Sequence, residues 1–367
     1  MPLSTFDPDH YPQLLAAKAA RVQDLLAPFG GPEAEIVASP DSGFRMRAEF
    51  RVWHDGDDLD YVMFRRGEPA TPVPVTHFPI ACEHIQQLMP RLLASLRDDS
   101  ELRRKLFQVE FLSTLAGDTL VTLVYHRRLE EAWRARATAL ATDLGIALVG
   151  RSRKQKEVIG CDFVTERLHI DGRDYHYRQY EQAFTQPNAE VNMRMIEWAC
   201  RAAAPLGGDL LELYCGNGNF TLPLARHFDQ VIATELAKTS IRAAQWNLEA
   251  NNVDNVQMIR LAAEEVTQAI NGERVFRRLA GLPKPLAEYR LNTVFVDPPR
   301  AGLDPATTSM VQRFPTILYV SCNPETLAAN LSVLSQTHRV EALSLFDQFP
   351  YTDHMECGVL LQGDALR

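Results

Sequence analysis

Alternating apolar and charged side chains mark the first part of the chain. Residues 44–53 read Phe-Arg-Met-Arg-Ala-Glu-Phe-Arg-Val-Trp, and this period of two predicts a half-exposed β-strand. Turn residues and changes of apolar period place further elements, which are strands at 59–64, 107–112 and 120–125 and helices at 11–26, 83–96 and 129–144. Hairpins mixed with a few helices predict an α+β domain on an antiparallel sheet over residues 1–180.

From residue 181 onward, apolar strands alternate with amphipathic helices. The predicted strands are Asp209–Tyr214, Gln230–Thr234, Val256–Arg260, Asn292–Val296, Thr316–Val320, Val340–Phe346 and Cys357–Leu361, and the clearest helices are Ile241–Asn251 and Pro324–Leu334. Five strand–helix units and a closing hairpin predict a Rossmann-like, doubly wound α/β sheet of seven strands whose last strand is antiparallel. We expect this second domain to span residues 181–367.

Composition points to a globular protein of the cytoplasm. The 367 residues suffice for two domains, and 46% of them are hydrophobic and 23% charged. No apolar run approaches the roughly 18 residues that cross a bilayer, and the first residues lack the features of a signal peptide. Six cysteines without Cys-x-x-Cys spacing predict neither a disulfide framework nor a zinc or iron–sulfur site. We therefore expect no metal, no membrane partner and no obligate protein partner.

The net charge of −9 argues mildly against a nucleic-acid partner. Basic residues nevertheless cluster in the first half of the chain. The clusters are Arg45/Arg47/Arg51, Arg103/Arg104/Lys105 and Arg151/Arg153/Lys154/Lys156. Because phosphate binding depends on the local potential and not on the total charge, composition leaves an RNA partner open.

A glycine-rich turn at the end of the first predicted strand of the second domain marks a candidate cofactor site. Within Glu212-Leu-Tyr-Cys-Gly-Asn-Gly-Asn219, Gly216 and Gly218 let the backbone approach a ligand closely. Glu235 ends the next strand, where a carboxylate can accept hydrogen bonds from both ribose hydroxyls. Phe220-Thr221 stand where a dinucleotide site has its third glycine, so the turn favours a cofactor without a pyrophosphate, such as S-adenosylmethionine. The alternative is an ordinary tight strand–helix turn.

Three reactive side chains are predicted at the same edge of this sheet. Asp297 ends the fourth strand, Cys322 ends the fifth, and Glu356 begins the last, antiparallel strand. The helix that follows Cys322 is expected to lower the pKa of its thiol from about 8.5. The structural alternatives are that Asp297 caps its loop, that Cys322 fills the core and that Glu356 is solvated.

A thiol, a carboxylate and a methyl donor together suit C5-methylation of a pyrimidine. C5 of uracil is a poor nucleophile until a thiolate adds to C6, which makes C5 an enolate carbon that can attack a methyl sulfonium. A base must then remove the C5 proton so that the thiolate can leave.

Several motifs resemble those of the RNA uracil-5-methyltransferases, most closely the bacterial tRNA (uracil-5-)-methyltransferases. They are Phe184-Thr-Gln-Pro-Asn188, Leu210–Phe220, Val296-Asp-Pro-Pro-Arg300, Val320-Ser-Cys-Asn-Pro324 and Met355-Glu-Cys357, with Phe44–Arg51 and Lys105-Leu-Phe-Gln108 in the first half. The resemblance extends over nearly the whole chain. It implies S-adenosylmethionine as methyl donor and, as substrate, the T-loop uridine of tRNA at conventional position 54.

By motif position, the resemblance implies that Cys322 is the nucleophile and Glu356 the proton acceptor. The residues that would line the cofactor site are Gln186, Tyr214, Asn219, Glu235 and Asp297. Related ribosomal-RNA enzymes usually carry a cysteine cluster for an iron–sulfur centre and an N-terminal β-barrel. Neither is evident in this sequence, which favours tRNA and leaves ribosomal RNA as the runner-up.

Three other readings of the function remain open. Transfer-messenger RNA, which carries a T-arm mimic, is a candidate further substrate. A tRNA-folding chaperone role could coexist with methylation. A nicotinamide-dependent oxidoreductase with a redox cysteine is the remote alternative.

RNA contacts are expected in the first domain, because a T-loop uridine is buried in folded tRNA and its base must be extruded. We expect Arg45, Arg47 and Arg51 to contact phosphates and Phe107 to stack in place of the extruded base. The alternatives are a solvated strand face for the arginines and a core position for Phe107.

Overall fold

The computed structural model describes residues 6–56, 58–65 and 68–363, and the chain forms two compact units. Unit 1 contains the described residues up to Asp9, Pro40–Arg167 and Gln179–Ala189. Unit 2 contains His10–Ser39, Leu168–Arg178 and the chain from Glu190 onward.

The described residues form strands and helices that are numbered here in chain order. The strands are β1 (Glu35–Val37), β2 (Arg47–Asp55), β3 (Asp58–Arg65), β4 (Glu68–Pro74), β5 (Leu106–Ser113), β6 (Thr119–Tyr125), β7 (Ala147–Ser152), β8 (Gln155–Ile159), β9 (Phe163–Ile170), β10 (Arg173–Tyr180), β11 (Asp209–Leu213), β12 (Gln230–Thr234), β13 (Val256–Ile259), β14 (Leu291–Val296), β15 (Thr316–Ser321), β16 (His338–Phe346) and β17 (Glu356–Gly363). The helices are α1 (Tyr11–Leu26), α2 (Glu83–Asp98), α3 (Ser100–Arg103), α4 (Glu131–Leu144), α5 (Ala189–Ala203), α6 (Thr221–Leu224), α7 (Lys238–Ala250), α8 (Ala263–Ile270), α9 (Pro305–Val311) and α10 (Pro324–Leu334). No helix among them is both long and apolar enough to cross a membrane.

Unit 2 is built on a twisted sheet with the strand order β1-β16-β17-β15-β14-β11-β12-β13. Strands β11 to β15 pair in parallel, and β17 lies antiparallel between β15 and β16. The predicted doubly wound fold with an antiparallel last strand is therefore confirmed. The structure adds an eighth strand, β1, which pairs in parallel with β16. This strand is only three residues long, so its sequence carried too little periodicity to predict it.

Helix α1 belongs to unit 2 because its apolar face completes the core there. Ala19, Val22 and Leu26 are buried in the same cluster as Leu331 of α10. Burying Val22 and Leu26 stabilises the fold by about 1.5–3 kcal/mol each. The tip of the β9–β10 hairpin, Leu168–Arg178, also groups with unit 2. Each unit therefore contains several segments of the chain. The change of strand and helix pattern had suggested a single boundary at residue 180 instead.

Unit 1 contains a seven-stranded sheet with the order β4-β3-β2-β5-β6-β7-β8. All of its pairs are antiparallel except β6–β7, which α4 connects. The core includes Phe50, Tyr61, Phe111 and Trp133. The prediction of an α+β domain on a mainly antiparallel sheet is confirmed. The predicted end of α4 is confirmed as well, because Gly145 is its C-cap in the left-handed conformation with φ 67°.

Candidate active site

The register between β15 and β17 places a thiol beside a carboxylate. Ser321 lies opposite Cys357 as the last pair of this antiparallel ladder. One residue further along each strand stand Cys322 and Glu356. Because the start of an antiparallel strand lies at the same edge as the ends of its parallel neighbours, both residues stand at the edge where β11, β12 and β14 also end. The structure thus brings the two candidate reacting groups together.

The thiol of Cys322 is protonated in this environment at neutral pH. Burial, followed by the charges of Glu356 and Asp297, raises its pKa to about 11, although the Arg300 guanidinium lowers it. The expectation that the start of α10 lowers this pKa is therefore wrong for the structure described here. The helix end contributes only about half a positive charge. Two close carboxylates and partial burial outweigh that contribution.

The two carboxyl groups next to Cys322 are also shifted towards their neutral forms. Glu356 is buried, and burial followed by the field of Asp297 raises its pKa well above the ordinary value. Burial raises the pKa of Asp297 to about 7. Neutral forms are favoured because burial removes solvent from a negative charge, and at Glu356 also because the charge of Asp297 repels it. The site is therefore short of positive charge.

The loop that carries Asp297 is fastened to the start of α10. The backbone oxygen of Arg300 accepts hydrogen bonds from Nδ2 of Asn323 at 3.0 Å and from Oγ1 of Thr326 at 3.2 Å. Asn323 also caps α10, since its Oδ1 accepts from the backbone nitrogen of Glu325 at 3.1 Å. The side chain of Asp297 makes no hydrogen bond with any described residue, and burial is the cause of its raised pKa. The alternative that Asp297 serves as a loop cap has no support here.

Arg300 and His354 are site residues that sequence reasoning did not single out. Nη2 of Arg300 lies 2.8 Å from Nε2 of His354, and the field of Arg300 lowers the pKa of both Cys322 and Glu356. The side chain of Arg300 is exposed. Arg300 stood within a motif quoted for the family resemblance. Only the fold shows that its charge reaches the thiol.

The glycine turn has the strained backbone of a ligand-binding loop. Tyr214, Gly216 and Gly218 have φ values of 60°, 57° and 84°, in the left-handed region. Glycine adopts this conformation without cost, whereas Tyr214 pays for it in steric strain. The backbone nitrogen of Gly218 donates to the oxygen of Cys215 at 2.9 Å and closes the turn.

Glu235 ties the glycine turn to the loop that follows β12. Its Oε2 accepts from the backbone nitrogen of Gly216 at 3.1 Å. Its Oε1 accepts from the nitrogens of Leu236 at 2.7 Å and Ala237 at 2.6 Å. A carboxylate offers about four acceptor positions, so these three bonds orient Glu235 and leave one position for a ligand hydroxyl.

Asn219 is held by a residue that sequence reasoning missed. Its amide exchanges two hydrogen bonds with the amide of Asn192 in α5, at 2.9 and 2.8 Å. The hydroxyl of Tyr177 donates to the backbone oxygen of Asn219 at 3.1 Å. Asn192 carried no sequence signal, because one polar residue in an amphipathic helix is ordinary.

A second missed residue is Glu212 in β11, the strand that leads into the glycine turn. Its side chain is buried, and neither carboxylate oxygen has a hydrogen-bond partner among the described residues. Burial raises its pKa to about 8, and the nearby Asp297 raises it as well. Buried polar groups are nearly always paired, so an orphaned carboxylate beside Asp297 suits a cationic ligand. S-adenosylmethionine fits because it carries a sulfonium and an ammonium group.

Tyr214 and Gln186 are the other two residues that were predicted to line the cofactor site. Tyr214 is half-buried, and burial together with Glu264 and Asp304 raises the pKa of its phenol. Gln186 is half-buried in unit 1. Their contact with a cofactor stays a prediction. The part of the chain that the structure describes holds no group of three or more His, Cys, Asp or Glu side chains suited to a metal ion.

Two of the arginines expected to bind RNA are engaged within unit 1. Nε of Arg45 donates to the backbone oxygen of Arg47 at 2.8 Å. The guanidinium of Arg47 donates to the backbone oxygens of Glu181 at 2.6 Å and Ala183 at 3.0 Å. These contacts fasten the segment before α5. They leave less of either guanidinium free for phosphates, so RNA contact by Arg45 and Arg47 stays a prediction.

Phe107 forms the centre of a three-layer stack. The guanidinium carbon of Arg51 lies 3.7 Å from the centroid of its ring. The ring of His126 stacks against Phe107 with centroids 4.0 Å apart and planes at 29°. Phe107 is half-buried while Arg51 and His126 are exposed. A base that stacks on Phe107 must therefore displace one of these two side chains.

A basic cavity of about 940 Å³ opens at the ends of β6 and β7 in unit 1. Arg128, Arg153 and Lys154 line it, are exposed and form no ion pair with any described residue. Two other arginines of its lining are neutralised, since Arg127 pairs with Glu101 and Arg151 pairs with Glu181. Arg128, Arg153 and Lys154 are therefore the lining cations whose charge can attract an anion.

The chain is similar to known proteins over nearly its whole length. The profile of the family described as "tRNA (Uracil-5-)-methyltransferase" matches residues 10–364. A "tRNA/tmRNA (uracil-C(5))-methyltransferase" of Pseudomonas entomophila is 56% identical over 358 residues, covering 98% of this chain and 99% of the relative. The same-named protein of Stutzerimonas stutzeri is 55% identical over 361 residues, with the same coverage.

A solved structure resembles the whole chain in fold. It is the tRNA (uracil-54, C5)-methyltransferase of Pyrococcus abyssi in complex with S-adenosyl-L-homocysteine. Its TM-score is 0.72 at 23% identity, covering 96% of this chain and 83% of that structure.

The raised pKa of Cys322 predicts that the thiol is alkylated quickly only at high pH. Because alkylation requires the thiolate, iodoacetamide modification of Cys322 in the free protein should rise with pH towards a midpoint near 11. Glu356→Gln removes one carboxylate charge and should move the profile to lower pH. Glu341→Gln, an exposed change in β16, is the control and should not. Peptide mass spectrometry measures the rate, and a midpoint at or below about 8.5 would contradict the account.

Proposed function

The chain belongs to the tRNA (uracil-5-)-methyltransferase family, and we propose that it methylates C5 of the T-loop uridine 54 of tRNA in the cytoplasm. Relatives named for tRNA and tmRNA support transfer-messenger RNA as a further substrate. The observation that carries the proposal is the register that sets Cys322 beside Glu356 at the edge of the glycine turn.

Cys322 begins the reaction as the nucleophile. Its thiolate adds to C6 of uracil, and the electrons of the C5–C6 double bond move towards C5 and the neighbouring carbonyl. C5 then takes the methyl group that S-adenosylmethionine would supply from its sulfonium, and S-adenosylhomocysteine would be the leaving group. The ring is then saturated at C5 and C6 and held covalently to Cys322.

Glu356 completes the exchange. Its carboxylate takes the C5 proton, the C5–C6 double bond forms again, and the C6–S bond breaks to return the thiolate. Burial suits Glu356 to this task, because a raised pKa makes its carboxylate a stronger base. The pairing of β15 with β17 supports this role, because it sets Glu356 close to the residue that would hold the uracil ring.

The positive charge of the cofactor would compensate for the lack of positive charge in the site. A cation held beside Asp297 and Glu212 favours the ionised form of every acidic group near it. We expect it to lower the pKa of Cys322 and of Glu356 towards neutrality. Cys322 would then lose its proton to solvent only once the methyl donor is bound. This order would protect the thiol from addition to RNA without a donor present.

RNA binding is assigned to unit 1, where the unpaired cations lie. Arg128, Arg153 and Lys154 surround the basic cavity, and His126 of the Arg51–Phe107–His126 stack also lines it. Cations contact phosphates, and aromatic and guanidinium planes support an unstacked base. The protein's total charge of −9 is compatible with this, because the attraction is local.

Substitution of fluorine for the C5 proton tests the chemistry directly. RNA with 5-fluorouridine at the target has no C5 proton for Glu356 to remove, so a methylated adduct with Cys322 should accumulate. Mass spectrometry of the protein–RNA complex measures it. Cys322→Ala should form no adduct, and Glu356→Gln should accumulate the methylated adduct even with ordinary uridine. Active enzyme that forms no adduct would contradict the roles of both residues.

Neutralising the cations of the basic cavity should weaken RNA binding and make the affinity depend less on salt concentration. Arg128→Gln, Arg153→Gln and Lys154→Gln should each reduce the slope of log Kd against log salt by about 0.7–1, with kcat at saturating RNA unchanged. Arg91→Gln is the matched control, because Arg91 is exposed on α2 of the same unit and forms no ion pair with any described residue. Equal slopes for all four variants and the wild type would remove the cavity from the RNA-binding surface.

A further inference from the structure

A buried charged cluster joins α1 to the segment 347–355, which links β16 to β17 and leads directly into Glu356. Tyr11 and Lys18 lie seven residues apart and so share one face of α1. The hydroxyl of Tyr11 donates to Oδ2 of Asp347 at 3.0 Å, and Nζ of Lys18 donates to Oδ1 of Asp347 at 2.5 Å. The side chains of Lys18 and Asp347 are only 6% and 1% exposed. The first residue of the segment is thus held by two bonds from one helix.

The cluster satisfies its own polar groups and so fixes one geometry. Nζ of Lys18 also donates to the backbone oxygen of Phe349 at 3.2 Å, and the hydroxyl of Tyr11 accepts from the nitrogen of Ser39 at 2.9 Å. A buried ion pair of this kind contributes little net stability, but it strongly disfavours arrangements in which either charge stands alone. Such pairs serve specificity of structure better than stability.

Arg21, one turn beyond Lys18, contacts the chain close to both reacting residues. Its Nη2 donates to the backbone oxygen of Asp353 at 2.7 Å, three residues before Glu356. Its Nη1 pairs with Oε1 of Glu325 at 2.8 Å, three residues after Cys322. One guanidinium therefore bridges the segment that leads to the carboxylate and the helix that follows the thiol.

We propose that α1 is a positioning element for the last step of the reaction, and that Tyr11, Lys18 and Arg21 hold the segment 347–355 so that Glu356 faces the adduct on Cys322. This inference rests on the proposed function. The apolar face of α1, with Ala19, Val22 and Leu26, accounts for its packing in the core. It does not account for three polar side chains directed at the segment before Glu356.

Proton removal should be more sensitive to α1 than the earlier steps are. Cys322 is held by β15 and by the Asn323 cap of α10. Glu356 stands at the first position of β17, where Phe346 of β16 is its ladder partner on one side and the segment 347–355 leads into it. A displacement of about 1 Å at a reacting group can slow a step by about a hundredfold. Loss of the α1 contacts should therefore leave the methylated adduct formed but slow to break down.

Arg21→Ala is the primary variant, because Arg21 is exposed and alanine favours the helix. Asp24→Ala is the matched control, an exposed residue one turn further along whose side chain forms no hydrogen bond or ion pair with any described residue. Lys18→Met and Tyr11→Phe test the buried cluster, with circular dichroism as a check of folding. The assay is a single turnover with methyl-labelled S-adenosylmethionine and T-arm RNA, and denaturing gels separate label on protein-bound RNA from label on free RNA.

Arg21→Ala should slow release of methylated RNA by about tenfold and raise the protein-bound fraction several-fold, with the rate of methyl transfer within about twofold of wild type. Folded Lys18→Met and Tyr11→Phe should shift in the same direction, and Asp24→Ala should match wild type. Equal slowing of transfer and release, or no change in either, overturns the proposal. Glu356→Gln distinguishes failure of the positioning role from failure of the proposed function. If Glu356→Gln accumulates the adduct and the α1 variants do not, only the positioning role of α1 is wrong. If Glu356→Gln accumulates no adduct, the proposed function is wrong as well.

Discussion

The insertion of one antiparallel strand between two parallel ones is the constraint on which the site depends. Because β17 runs against β15, its first residue meets the last residues of β15, and a shift by one position would turn Glu356 to the other face of the sheet. The register is fixed over six pairs, from Thr316 opposite Gln362 to Ser321 opposite Cys357. The buried side chains of β17 on both faces make such a shift costly. Chemistry at one edge is thus secured by packing along the whole strand.

Electrostatics of the site follow from that placement. Cys322, Glu356, Asp297 and Glu212 are acidic groups whose pKa values are all raised, first of all by burial. Arg300 is the cation whose field opposes this at Cys322 and Glu356. A protein that concentrates neutral acids around an open edge creates a preference for a cationic ligand. In the proposed function, the same preference links binding of the sulfonium to ionisation of the thiol.

Much of this arrangement could be predicted from the sequence, because it rests on local patterns. Apolar runs located β11 to β17 within one or two residues, and positions at strand ends located Cys322, Glu356 and Asp297 at one edge. The pKa of Cys322 could not be predicted, since it depends on burial in the fold and on carboxyl groups distant in sequence. The partners Asn192, Glu212 and Lys18 were missed for the same reason. Each is an unremarkable polar residue in its own element, and only the tertiary contacts give it a role.

The claim that Cys322 and Glu356 face each other across β15 and β17 can be measured without substrate. Opposed residues of an antiparallel pair have Cα atoms about 4.5–5.5 Å apart, within the range that a disulfide spans. Glu356→Cys combined with Cys357→Ser should therefore form an intramolecular disulfide with Cys322 under mild oxidation, seen by peptide mass spectrometry. Cys357→Ser alone should form none. A folded double variant in which Cys322 stays free under oxidation would contradict the account.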